Sequence, residues 1–497
     1  MAHSDLHMVT AGRSNAFDTL APHPLELVAL FALVVLNWAF WIAGGYMFVD
    51  FGAPVAMAVI MGVANWRMAR VMPETIWTPL FALRLATLVV IGIGGLLPYI
   101  VRDATRDYLL SLYPFTPEEA AKTNLIWSTG TFLIIASAFG TNLAARKAFT
   151  RRPRVSAIGQ HTLGIGLIFL AAGLANIILV DIANLLGLWH VTIAGSVRTV
   201  LDATNLVGMF LVALWAIKRG TYGALLIAAL VLINVVLGLI ALNKTMVLLP
   251  MLFIGIALLV DRFSIVRAVL ITIALLGSLA LLQPMVANAR ILQTQKYGDT
   301  EGGTLSERIA DYIDYTKGIH SEGTRTGSDE ALVRLSYVNV AAFEIYQYDR
   351  RMPDNSIANA AIALVPRFIW PDKPIVTQSG NDLYYALTGF EGSAVSGTVI
   401  ADAYWNMGYV GLLLICPLIG IYAMLVSRIS YGVVRQRDWF MMPFVLIAFK
   451  IGFSVDGSFV NSVLAPMVIS IIAYPILRLL EIVLSSRMAE SKTAALA

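Results

Sequence analysis

The sequence predicts an all-α polytopic membrane protein with about twelve transmembrane helices and one large, partly helical loop between the ninth and the tenth. Three observations predict it. Hydrophobic residues make up 58% of the 497 residues and charged residues 13%, whereas globular proteins are about a quarter charged. Apolar runs about 20 residues long, the length that crosses a hydrocarbon core of roughly 30 Å, recur along the chain with only short polar stretches between them. Lysines and arginines concentrate in alternate loops, as the positive-inside rule requires of a multi-span protein.

The apolar runs fall at 25–49, 52–66, 77–101, 124–145, 162–186, 201–217, 222–242, 245–260, 266–287, 408–428, 439–456 and 462–485. The second is the shortest and would barely span an unthinned bilayer. Before the first run, residues 1–24 form a polar tail without an apolar stretch or a small-residue cleavage site, so the first span itself is expected to serve as the membrane signal. Residues 25–287 carry spans one to nine, 288–407 the large loop, 408–485 spans ten to twelve, and 486–497 a second tail. With the N-terminus inside, the cytoplasmic loops hold Arg67 and Arg70, Arg146 to Arg154, Lys218 and Arg219, Arg262 and Arg267, then Arg428, Arg435 and Arg437. The alternate loops are poor in bases or balanced by acids, as between Arg102 and Lys122. Both tails are therefore expected to be cytoplasmic and the large loop to lie outside. The single cysteine, Cys416, excludes an internal disulfide and a thiolate metal cluster.

The large loop holds 15 of the 31 acidic residues and 10 of the 35 basic ones, a net charge of −5 against +9 for the rest. A loop of that length is usually functional. Glycine, serine and threonine at 300–304 and 321–328 read as mobile turns. A helix is expected from Ser328, a fair N-cap followed by Asp329 and Glu330, with Leu332, Leu335, Val338, Ala342, Ile345 and Tyr346 along one face. A shorter helix, about 355–364, must stop near Val365 because Pro366 follows. The three prolines between Pro366 and Pro374 then hold Arg367, Trp370, Asp372 and Lys373 in a rigid frame.

Candidate chemistry follows from residue type. Arg290, Arg334 and Arg367, with Lys373, would bind phosphate or pyrophosphate, since a guanidinium is planar, bidentate and permanently charged; singly, each reads first as solvated loop charge. Glu344, Asp372, Asp382 and Asp402 are candidate general bases or, each alone, helix caps and ion-pair partners. His320 and His190 are the outward histidines, either of them able to work near neutral pH, but without an acid or histidine cluster at ligand spacing no metal site is expected. Trp370, with Tyr384 and Tyr385, would stack on sugar rings or pack the loop. Arg84, Asp181, Asp202, Lys450 and Asp456 fall in or near apolar runs, where charge is costly; Arg84 is expected deepest, facing the bundle interior. The sequence has no Walker motif, dinucleotide glycine fingerprint or internal repeat, and no cofactor or nucleic-acid partner is expected.

The block ALVPRFIWPDKP (363–374), followed some thirty residues later by SGTVIADAYWNMGYVGLLL (396–414), resembles the bacterial oligosaccharide repeat-unit polymerases, the Wzy-type O-antigen and exopolysaccharide polymerases. The layout, with many spans and a long periplasmic loop before the last few, is similar too. The resemblance implies a GT-C-like glycosyltransferase of the inner membrane, needing neither nucleotide sugar nor metal. Such an enzyme moves a glycan from undecaprenyl diphosphate to a sugar hydroxyl of another lipid-linked repeat unit. Its expected partners are those lipid-linked oligosaccharides, membrane lipids, and polysaccharide export or chain-length proteins. Arg367 and Lys373 fall within the first block, and Asp402, Tyr404, Asn406 and Gly408 within the second. On this reading Arg334, Arg367, Glu344 and Asp402 are the expected catalytic residues. Arg290, Trp370, Asp372, Lys373, Tyr404, Asn406, Arg84 and His320 are the expected substrate-binding ones. Two other readings share features with it. An O-antigen ligase has the same donor chemistry and layout, and a lipid-linked-sugar flippase would use charges inside the bundle.

Overall fold

A computed structural model describes residues 20–101, 103–145, 162–183, 193, 195–240, 244–261, 264, 266–267, 269–275, 277–278, 335–358, 360, 370, 378–389 and 395–496. No strand occurs among them. In chain order the helices are α1 (Pro24–Ile42), α2 (Tyr46–Val71), α3 (Pro79–Thr87), α4 (Gly94–Ile100), α5 (Asp103–Leu112), α6 (Pro117–Ala144), α7 (Thr162–Asn176), α8 (Gly195–Ala216), α9 (Gly220–Ile240), α10 (Lys244–Asp261), α11 (Val338–Asp349), α12 (Gln378–Thr388), α13 (Val399–Gln436), α14 (Met442–Phe453) and α15 (Ala465–Leu496). Among the described residues, eight runs are long and apolar enough to cross a membrane: Pro24–Ile42, Tyr46–Val71, Pro79–Ile100, Thr162–Ile182, Val197–Gly238, Val399–Gln436, Trp439–Asp456 and Phe459–Ser486. The fold is that of a helical membrane protein.

The twelve expected runs map onto these eight unevenly. Runs 201–217 and 222–242 belong to one 42-residue stretch that breaks at Gly220, φ +59°. Run 124–145 lies in α6, which is long enough but buries Asn124, Ser128, Thr131 and Asn142, and is not among the eight. Run 245–260 is the shorter apolar helix Met246–Val260, and half of run 266–287 lies outside the described residues. The expected boundary between the first two runs is corrected. The chain turns at Gly44 (φ +75°), so α1 ends at Ile42 and α2 runs 26 residues from Tyr46 to Val71. The second span is thus no short segment. Pro54 sits inside it at the ninth position, where it removes the helical bond to the Asp50 carbonyl, and Asn124 Nδ2 donates to that carbonyl at 3.1 Å instead.

The chain divides into two compact units. Unit 1 comprises Met1–Arg154, Leu332–Gln436 and Val445–Ile472. Its centre is the α6–α13 pair. A Cβ at Gly130 would collide with Ile400, and one at Gly420 with the Ile134 carbonyl, so small residues on each helix admit the other, the usual device of membrane helices. Two polar contacts pin the pair at its ends. Trp127, fully buried, donates from Nε1 to Thr398 Oγ1 at 2.8 Å. Arg428 donates to the Ala145 and Asn142 carbonyls at 2.7 and 2.9 Å, satisfying acceptors that the end of α6 leaves open. At its other end α6 starts on a capping box, with Thr116 N–H donating to Glu119 Oε2 (2.7 Å) and Glu119 N–H to Thr116 Oγ1 (3.2 Å).

Unit 2 comprises Val155–Ala331, Arg437–Phe444 and Ala473–Ala497. Here α7 packs on α8, and α8 on α9 and α10. Arg478 donates to Asp438 Oδ2 at 2.7 Å and Glu481 Oε2 at 2.6 Å, and Asp181 pairs with Arg198 at 2.9 Å.

Candidate functional site at the start of α13

α13 is really two helices. At Gly408 the backbone turns to φ +60°, ψ −142°, and a side chain there would run into the Tyr348 ring; glycine meets both constraints. Before the break, Val399–Met407 is largely buried in unit 1, and after it Tyr409, Val410, Leu413 and Leu414 are exposed apolar residues of a membrane-facing span. Trp38 packs on Tyr409 at 5.9 Å and on Trp41 at 6.1 Å. Aromatic rings thus cluster at the end of α1 and at the break in α13, the kind of belt that flanks membrane spans.

α11 covers that half. The expected start at Ser328 lies outside the described residues; a single helix from there through Tyr346 is corrected, because Leu335–Tyr337 is non-helical and α11 begins at Val338 with Tyr337 as its cap. Its inner face, Val340 and Phe343, packs with Leu383 of α12 and Trp405 of α13, and Tyr113, Tyr346 and Tyr348 surround them.

Two of the expected catalytic acids meet here. Glu344 is 1% exposed; its Oε1 accepts from Gly397 N–H at 2.7 Å and its Oε2 has no hydrogen-bond partner among the described residues. Burial raises its pKa well above the usual carboxylate range, the nearby Asp402 and Asp354 charges add to the rise, and the Gly397 amide opposes it. Asp402 is equally buried. Its Oδ2 accepts from Phe459 N–H at 2.7 Å, at the N-terminus of the helical run that leads into α15, and its Oδ1 faces Asn406 Nδ2 at 3.4 Å. A carboxylate at that position caps the helix. Asn406 in turn accepts from Ile357 N–H at 3.0 Å and from the Ser356 hydroxyl at 3.3 Å, so it folds the turn after α11. Both acids therefore position backbone, with no exposed edge.

The accessible chemistry lies on the rim. Lys122, at the start of α6, forms an ion pair with Asp349 and stands 5.7 Å from the Tyr404 ring centroid, while the Tyr404 hydroxyl donates to Asp349 Oδ1 at 3.3 Å. Tyr404 packs edge-on against Tyr348 (5.0 Å) and Tyr409 (5.2 Å). Arg350 lies 4.8 Å over the Tyr346 ring, and Tyr113 donates to Glu119 at 3.0 Å. α11 closes in a Schellman turn, with Arg351 N–H to Tyr348 O and Met352 N–H to Gln347 O, both 2.9 Å. The left-handed position of that turn normally falls to glycine; here it is Arg351, φ +61°. Such backbone costs about 1–3 kcal/mol and collects at functional sites.

Among the expected residues, then, Glu344, Asp402, Tyr404 and Asn406 come together. Trp370 is 41% exposed. Arg290, His320, Arg334, Arg367, Asp372 and Lys373 lie outside the described residues, as does His190. Arg84 faces the interior as expected, at 1% exposed, but its depth is corrected: Nε and Nη2 are bound by Glu26, 2.8 and 2.7 Å away in the first turn of α1, so it sits near the end of the spans rather than midway. Lys122, Asp349, Arg350, Arg351 and Tyr348 were not anticipated, and Tyr346 was expected only as part of an apolar helix face. The Arg350–Arg351 pair directly after an apolar helical face was a visible signal; Lys122 in an acid-balanced loop was not. Among the described residues no group of His, Cys, Asp and Glu is arranged to hold a metal ion.

The site and the spans define a helical membrane protein with a cationic and aromatic rim beside the break in α13. Residues 173–433, more than half of the chain, match the family described as Domain of unknown function (DUF8712), and the chain belongs to that family. The match contains α11 and nearly all of α13. No curated protein and no solved structure matches the chain.

Proposed function

We propose that the protein is a polysaccharide polymerase of the bacterial inner membrane, with about twelve spans, both termini cytoplasmic and the α11–α13 rim on the periplasmic face. The observation that carries this reading is the rim itself: Lys122 over the Tyr404 ring, which packs against Tyr409, and Arg350 over the Tyr346 ring, with Arg351 next along the chain, where polar chain meets an apolar span. A lipid-linked glycan donor presents a pyrophosphate at the headgroup level and sugar rings just beyond it. Guanidinium and ammonium groups suit the first, aromatic faces the second. The 396–414 block that resembles the Wzy-type polymerases runs directly through this rim.

In the proposed reaction the bond between the sugar anomeric carbon and the diphosphate oxygen breaks. A new bond forms from that carbon to an acceptor hydroxyl, and undecaprenyl diphosphate leaves with the electron pair. Cations already placed at the interface stabilise the charge growing on the leaving oxygens. Asp349, the accessible carboxylate of the cluster, takes the acceptor proton. Glu344, Asp402 and Asn406 act as positioning residues that hold the rim. Arg290, Arg334, Arg367 and Lys373 are further cations for the same pyrophosphate. No cofactor takes part, and chain-length or export proteins would act on the product.

The test is the glycan ladder of a strain lacking the gene. Wild type should restore long polymer, and the Lys122→Ala, Arg350→Ala double variant should leave single repeat units on the lipid core. Normal polymer from that variant, at normal protein level, would overturn the reading. A deletion strain with no attached glycan at all would point to a ligase.

A further inference from the structure

A second charged site lies at the opposite end of α1 from Trp38 and Trp41 and is independent of the proposed activity. Here α1, α2 and α3 enclose a cavity of about 440 Å³. Its wall is apolar, with Val59, Ile60 and Val63 of α2; His23 and Arg67 stand at the rim and Arg84 lines the floor. Val59 and Val63 are 59% and 58% exposed, so the cavity opens sideways, on the face these two spans turn to lipid. The floor is chemically incomplete. Arg84 is 1% exposed and carries five donors. Glu26 takes Nε and Nη2, but among the described residues Nη1 meets only the Met68 thioether sulfur, at 2.6 Å. A thioether is a weak acceptor, and a buried donor without an oxygen partner is costly. Glu26 neutralises Arg84, which leaves Arg67 as surplus positive charge; it pairs with no acid among the described residues.

We propose that this cavity holds an anionic phospholipid of the surrounding membrane. The headgroup phosphate bridges Arg67 and the Nη1 of Arg84, and an acyl chain lies along Val59, Ile60 and Val63. One ligand thereby supplies what the site lacks: oxygen acceptors for a buried guanidinium, negative charge for Arg67 and hydrocarbon for an exposed valine wall. Basic pockets between membrane helices bind anionic headgroups in this way.

Native mass spectrometry of the full-length protein in detergent tests it, with phosphatidylglycerol against phosphatidylcholine of the same chains. Wild type should retain one phosphatidylglycerol in preference. Arg67→Gln, an exposed change, should weaken that binding about fivefold, the worth of one basic residue at a membrane surface. Val63→Trp should block the groove and abolish the single bound lipid, with an unchanged melting temperature verifying that the variant is folded. Equal retention of the two lipids by wild type would overturn the proposal, as would unaltered phosphatidylglycerol binding in Arg67→Gln. Binding that emerges only after residues 2–19 are deleted would assign the groove to the N-terminal segment instead, and also overturn it.

Discussion

Two of the ion pairs in unit 1, Glu26–Arg84 and Lys122–Asp349, lie at opposite ends of its spans and differ in burial and in what shares their charges. Glu26–Arg84 is buried, 6% and 1% exposed at the side chain, with two parallel hydrogen bonds of 2.7 and 2.8 Å. Lys122–Asp349 is open, 21% and 38% exposed, and shares its charges with the Tyr404 ring and hydroxyl. Removing one partner from a buried pair leaves a charge without water or counter-ion, which costs about 3–5 kcal/mol. Exposed pairs are worth about 0–1 kcal/mol, because water replaces the lost partner. The first pair therefore belongs chiefly to the fold. The second can exchange its partner for a ligand at little cost, and that is what a binding rim requires.

The sharpest break of this contrast is Arg84→Ala, expected to destabilise the protein by about 3–5 kcal/mol in thermal or denaturant unfolding. A change below about 1 kcal/mol would show that the pair is not dry. Glu344 tests the buried side of the comparison through pH. The folded protein keeps its proton above pH 4.5, where the unfolded chain loses it. The stability it contributes is present below that pH and is lost as pH rises toward the folded value. The slope reaches at most about 1.4 kcal/mol per pH unit. Glu344→Gln, which stays neutral, should flatten this slope in melting curves taken across pH; an unchanged slope would mean that the carboxyl is solvated.

Smaller effects lie on the open side. Arg351→Gly relieves a left-handed backbone and should stabilise the protein by about 0.5–1 kcal/mol. Polymer yield in cells should nevertheless fall, because a rim cation is gone. A gain in both would make Arg351 a mere defect of the turn. Lys122→Ala should shift the melting temperature least, by less than about 1 kcal/mol, while shortening the glycan ladder. A large loss of stability there would dissolve the distinction between the two ends.

The apolar runs were legible because crossing a bilayer needs only length and hydrophobicity, which are local properties. Run 77–101 coincides closely with Pro79–Ile100. Errors arose where one residue decided the geometry. Gly44 and Gly45 end α1 inside what reads as continuous apolar sequence, and the continuous apolar face expected through Leu335 to Tyr346 is broken at Leu335–Tyr337 before α11 starts at Val338. Within the site, Asp402, Tyr404 and Asn406 were visible because they share one helix and one motif. Their separate tasks, helix cap, rim ring and turn clasp, were not.

What the sequence alone determined is the membrane class, most of its spans and the segment around 396–414 as a place of interest. Each follows from composition over a stretch or from neighbours along the chain. Only the tertiary structure decided which charges answer each other. Lys122 and Asp349 are 227 residues apart and Glu26 and Arg84 are 58 apart. No helical or strand period links such positions, and the same ionised side chain becomes a structural tie or an open site according to how much water its surroundings leave it.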